Sequence, residues 1–75
     1  MSNFPSIDGH EAIARFEAFG FRVVRNASSH YILKKEGHQR LLSIPVHGRK
    51  ALKWGLLHSQ IKAAGLTAEQ FFERQ

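Results

Sequence analysis

Seventy-five residues without a single cysteine must hold their fold together by apolar packing alone. A chain this short buries only roughly 60–65% of the surface its unfolded form exposes, so its stability is modest. Disulfide staples, iron–sulfur clusters and thiolate zinc sites are excluded from the outset. Six phenylalanines and a 43% hydrophobic content suffice for one small core. Residues 1–75 are therefore expected to form one domain. Met1 to Pro5 lack the basic segment and apolar run of a secretory signal, and no apolar stretch approaches the ~20 residues of a membrane-spanning helix. A cytoplasmic protein with no membrane partner is expected.

Charge is unevenly spread. Residues 1–20 set Arg15 against Asp8, Glu11 and Glu17, for −2. Residues 21–53 set Arg22, Arg25, Lys34, Lys35, Arg40, Arg49, Lys50 and Lys53 against Glu36 alone, for +7. The remainder is neutral, so the whole excess of +5 lies in the middle. A concentrated positive field suits nucleic acid or an acidic protein surface, and charge alone also allows a merely solvated face.

Periodicity predicts a helix over 8–19, capped by Asp8 with Glu11 reaching back to the cap. Its apolar stripe is Ala12, Ile13, Phe16 and Phe19, and Gly20 ends it. Three strands follow at 21–25, 30–35 and 39–46. A loop at 26–29 joins the first two, and a turn at Gly37 joins the second and third. Pro45 marks a strand end or an edge. A second helix over 53–64 has Trp54, Leu57, Ile61 and Ala64 on one face. There the Trp54 ring, able to stack a base, is expected to pack into the core instead. Thr67 and Gln70 form a capping box for a short last helix, with Phe71 or Phe72 packing home. The fold class is α+β, in the order α-β-β-β-α, with a three-stranded antiparallel sheet and both long helices on one face. Double-stranded RNA-binding domains share this arrangement.

Few residues offer chemistry. Histidines 10, 30, 38, 47 and 58 show no metal-ligand spacing, so no metal and no cofactor is expected. Carboxylates sit mainly at helix ends and suggest no acid–base pair. No glycine-rich phosphate loop follows a strand. Ser29-His30 stands out where a loop enters the second strand, near Arg25, Lys34 and Lys35. A histidine there could take the proton of an RNA 2′-hydroxyl while cations stabilise the phosphorane, which requires no metal. An ordinary hydrogen-bonded strand histidine fits the same residues.

Gly20-Phe21-Arg22-Val23-Val24-Arg25, Ser29-His30, Pro45-Val46-His47, Lys53-Trp54-Gly55, Ala64-Gly65-Leu66 and Phe71 resemble, in order and spacing, the HicA-type toxins. These are small mRNA interferases of bacterial type II toxin–antitoxin pairs. The resemblance spans about residues 7–72. It implies a double-stranded RNA-binding-like fold, an endoribonuclease acting on mRNA, and a HicB-type antitoxin covering the active site. It implies that His30, in the place of the family's Gly-Ser-His histidine, is catalytic. His47 falls on the Pro-x-His histidine, as a loop or phosphate contact. Ser28, Ser29, Lys34, Arg49, Lys50 and Lys53 are the expected RNA-binding residues. The free protein is expected to be a monomer that forms a hetero-oligomer with its antitoxin. Ser28 replaces the family's motif glycine and would be strained if that position needs positive φ. The alternative to a ribonuclease is a non-catalytic RNA-binding or antitoxin-binding domain whose active site has lapsed.

Overall fold

A computed structural model describes residues 4–73. It runs α1 (Gly9–Ala18), β1 (Arg22–Ala27), β2 (His30–Lys34), β3 (Leu42–Pro45), α2 (Trp54–Ala63) and α3 (Ala68–Glu73). The strands form one antiparallel sheet in the order β1-β2-β3. Among the described residues no helix is long and apolar enough to cross a membrane.

Local sequence sets the helix ends. Asp8 caps α1 by accepting the Glu11 N–H at 2.9 Å. The Glu11 carboxylate does not close the expected box but accepts from Arg15 Nε at 3.1 Å, one turn along. The Thr67–Gln70 box is complete: the Gln70 N–H donates to Thr67 Oγ1 at 3.1 Å, and the Thr67 N–H donates to Gln70 Oε1 at 2.8 Å.

The buried side of the sheet carries Leu33, Leu42 and Ile44, packed with Ala12, Phe16, Leu57, Ile61 and Phe71. All three helices contribute to this one core, so they lie on one face as expected. Phe71 meets Phe16 at 4.7 Å between ring centroids, and Phe72 stays half-buried. Gln60 of α2 covers the free edge of β3, its Oε1 accepting the Ser43 N–H at 2.9 Å. This is one way a small sheet avoids an exposed row of donors.

Three further features depart from the sequence reading. First, β1 extends to Ala27, so the expected loop shrinks to a two-residue turn, Ser28-Ser29. Second, β3 starts at Leu42 rather than at residue 39, and His38 is held elsewhere. His38 Nε2 hydrogen-bonds the Ala63 carbonyl at 2.8 Å, and its ring meets Phe21 edge-on at 5.4 Å. Third, Trp54 is 44% exposed rather than in the core. Its position continues the Leu57–Ile61 stripe one turn too far, where the core has run out. Phe4 and His58 stack on it instead.

Ser28 has φ +61, a left-handed value. Positive φ at the first central position alone is the pattern of a type II′ hairpin turn, where glycine is preferred. Left-handed backbone costs an L-residue about 1–2 kcal/mol, partly offset by the extra unfolded-state freedom of glycine. Ser28→Gly is therefore expected to stabilise the fold by up to about 1 kcal/mol, read as a higher urea midpoint at unchanged slope. A lower midpoint would show that the serine hydroxyl is needed in the turn.

Candidate nucleic-acid interface

Strand alternation and pairing register decide what the uncovered face of the sheet presents. On β2, His30, Ile32 and Lys34 point away from the helices, while Tyr31 and Leu33 point toward them. His30 pairs with Ala27 and Pro45, Ile32 with Arg25 and Ser43, and Lys34 with Arg22. The open face thus carries His30, Lys34, Arg22 and Arg25 together. The two arginines are three residues apart and should lie on opposite faces of a regular strand. A bulge between Val23 and Arg25 inserts Val24 and resets the alternation, which turns Arg25 to the side of Arg22. The sequence reading left both arginines out of the site; Arg25 could not be placed on this face, since nothing in the sequence marks the bulge.

His30 is exposed, and among the described residues its imidazole has no hydrogen-bond partner. Its backbone is well fixed. The preceding turn is tied to the end of β3 by the Val46 N–H, which donates to the Ser29 carbonyl at 2.7 Å. Gly9 packs against the same point. A Cβ there would collide with the Pro45 carbonyl oxygen and the Val46 side chain, so only glycine allows α1 to approach so closely. Ser28 is exposed and Ser29 half-buried.

Pro45, the neighbour of His30 across the sheet, also lines a cleft with His47, Lys50, Ala51, Leu52, Lys53 and Leu56. A turn closed by the Lys50 N–H on the His47 carbonyl at 3.0 Å shapes its rim. The segment's far end is held by the Leu52 N–H donating to the Ile7 carbonyl at 2.9 Å and by the Asp8–Ala51 bridge. Of the expected site residues, the structure therefore groups His30 with Lys34 on the open face. It groups His47, Lys50 and Lys53 in the adjoining cleft. Arg49 is exposed on the turn but does not line the cleft.

Electrostatically the surface is one-sided. Among the described residues the one carboxylate–cation pair is Glu11–Arg15, on the helical side. Arg22, Arg25, Lys34, Lys50 and Lys53 have no such partner, and Arg22 faces Lys34 directly. Among the described residues no three histidine, aspartate or glutamate side chains converge as a metal site. The arrangement offers an imidazole ring, unpaired cations around it and a cleft lined by Pro45, Leu52 and Leu56 beside it.

A family model for the HicA toxin of bacterial toxin–antitoxin systems matches residues 9–66. No curated protein matches the chain. The matched segment starts at the first residue of α1 and ends beyond α2, taking in the whole sheet, the Ser28-Ser29 turn and the cleft; the chain belongs to the HicA toxin family.

Proposed function

We propose that this toxin is an endoribonuclease that cleaves mRNA with His30 as general base. The observation that carries the reading is an exposed imidazole, without a hydrogen-bond partner among the described residues, on a strand paired on both sides and on the same face as Arg22, Arg25 and Lys34. The RNA brings its own nucleophile. His30 takes the 2′-hydroxyl proton, and O2′ forms a bond to the adjacent phosphorus. The bond from phosphorus to the 5′-oxygen breaks, and that oxygen takes a proton from water. The products are a 2′,3′-cyclic phosphate and a 5′-hydroxyl. Unpaired guanidinium and ammonium groups hold the phosphate and stabilise the charge that builds on it. No step calls for a metal or cofactor. Ser28 and Ser29 border the scissile site, and His47, Arg49, Lys50 and Lys53 bind the flanking strand. A HicB-type antitoxin neutralises the toxin in the cytoplasm by covering the His30 face with an acidic surface.

A general base contributes roughly 10²–10⁴-fold to rate, whereas binding is spread over many cations. His30→Ala is expected to lose cleavage and cell toxicity by that factor while keeping its fold and RNA affinity. Wild-type cleavage should persist in excess chelator and stop when the scissile ribose is 2′-deoxy. Equal cleavage by both proteins removes His30 from the mechanism. RNA binding without cleavage by either favours the lapsed-site reading, given the strained Ser28, and Ser28→Gly is then the reversion to assay.

Affinity should fall steeply with salt, because each phosphate neutralised on a single strand contributes about −0.7 to the log–log slope. Replacing Arg22, Arg25 and Lys34 together by Gln should flatten the slope by about 2. Replacing Arg49, Lys50 and Lys53 should do the same. A triple variant with the wild-type slope shows that RNA does not cross that patch.

Antitoxin binding is expected to shift the amide resonances of β1, β2 and the 46–53 segment. It should also be weakened by the Arg22, Arg25 and Lys34 replacements. Shifts confined to α1 would contradict occlusion of the open face.

A further inference from the structure

The reaction above makes no use of the outer side of α2. There Trp54, His58 and Lys62 lie four residues apart, one above another. The Trp54 ring stacks on Phe4 at 5.5 Å and on His58 at 5.0 Å, nearly parallel in both cases, and Phe4 continues to Phe72 at 5.2 Å. Among the described residues His58 has no ring neighbour beyond Trp54 and no hydrogen-bond partner, so it ends the ladder. It lines a shallow hollow with Arg40, Gly55, Ser59, Lys62 and Ala63. No carboxylate lines this hollow, and neither Arg40 nor Lys62 is ion-paired among the described residues.

Gly55 is the telling residue. Glycine weakens a helix relative to alanine, and here neither backbone nor packing asks for it. It has no positive φ, and nothing lies within 4 Å of where its Cβ would be. What the missing side chain does is keep the floor open beside the His58 ring. Leu56, the next residue, lines the cleft that begins at Pro45, so the cleft and the hollow both border the first turn of α2.

We propose that this hollow binds one nucleotide of single-stranded RNA outside the cleavage point, with its base on His58 and its phosphate on Arg40 and Lys62. The proposal rests on the RNA-cleaving reading and adds where the strand goes after the active site. Stacking on an aromatic platform flanked by cations is tolerant of base identity, as binding along a single strand requires. An acidic peptide would satisfy the cations but give the ring ladder and open floor no role.

Trp54 is the only tryptophan in the chain, so its fluorescence reports on the ladder. The test uses full-length His30→Ala protein, which keeps RNA intact, titrated with hexauridylate, hexaadenylate and uridine monophosphate. Both hexamers should change Trp54 emission and bind far more tightly than the mononucleotide. His58→Ala and Gly55→Gln should each weaken hexamer binding about tenfold, the scale of one lost stack. Gly55→Gln should at the same time raise the thermal midpoint, which separates a filled hollow from an unfolded protein. Hexamer binding that neither substitution alters, with silent Trp54, overturns this site and leaves the ribonuclease reading intact. Mononucleotide binding as tight as the hexamers overturns the strand assignment. Failure of every RNA to bind overturns both readings, and antitoxin binding lost on His58→Ala with RNA binding unchanged makes the hollow a protein contact.

Discussion

A three-stranded sheet in a chain of this size has apolar partners for one face only. Phe16, Phe71, Leu33, Leu42, Ile44, Leu57 and Ile61 are all fully buried, and they come from two strands and all three helices. Each contributes roughly 1.5–3 kcal/mol by leaving water, with no disulfide to supplement them. Every helix is therefore drawn to the same side. The second face is left to solvent, free to carry side chains that a core would reject. The site exists because the core is one-sided.

What occupies that free face is biased beyond the needs of solubility. Arg22 directly opposes Lys34, an arrangement that destabilises a strand pair, and the bulge at Val24 adds Arg25 to the same side. Edge bulges re-aim side chains and increase local twist, and here the re-aimed residue is a third cation. Any anion that binds this face relieves the repulsion and so stabilises the fold by mass action. Binding and stability are linked through the same charges. This holds whether the anion is an RNA backbone or an acidic protein surface.

The parts of the molecule that were legible in the sequence are those governed by neighbours along the chain. Asp8 and the Thr67–Gln70 pair announce helix starts because capping is a contact three residues long. His30 and Lys34, both named in the sequence reading, share a face because β2 is regular. The failures share a different origin. The late start of β3 depends on His38 finding the Ala63 carbonyl 25 residues away. Trp54 matches the helical period of the core residues, but period says nothing of where the core ends along the helix axis. Arg25 was hidden by a one-residue insertion whose only signature is the pairing itself. Structure beyond the local sequence set all three.

Ser28 shows how the local and long-range constraints meet. Its left-handed backbone is costly for a serine, yet the turn is held from two sides. The Ser29 carbonyl is bonded to the Val46 N–H, and Val46 is pinned in turn by the close approach of α1 at Gly9. Strain of this kind persists only where the surroundings over-determine the backbone. The consequence falls on the next residue but one. His30 inherits a main chain fixed by β1, β3 and the end of α1, while among the described residues its ring has no hydrogen-bond partner. The general base proposed at this position needs that division: a position set by the scaffold, and a nitrogen left free for a proton.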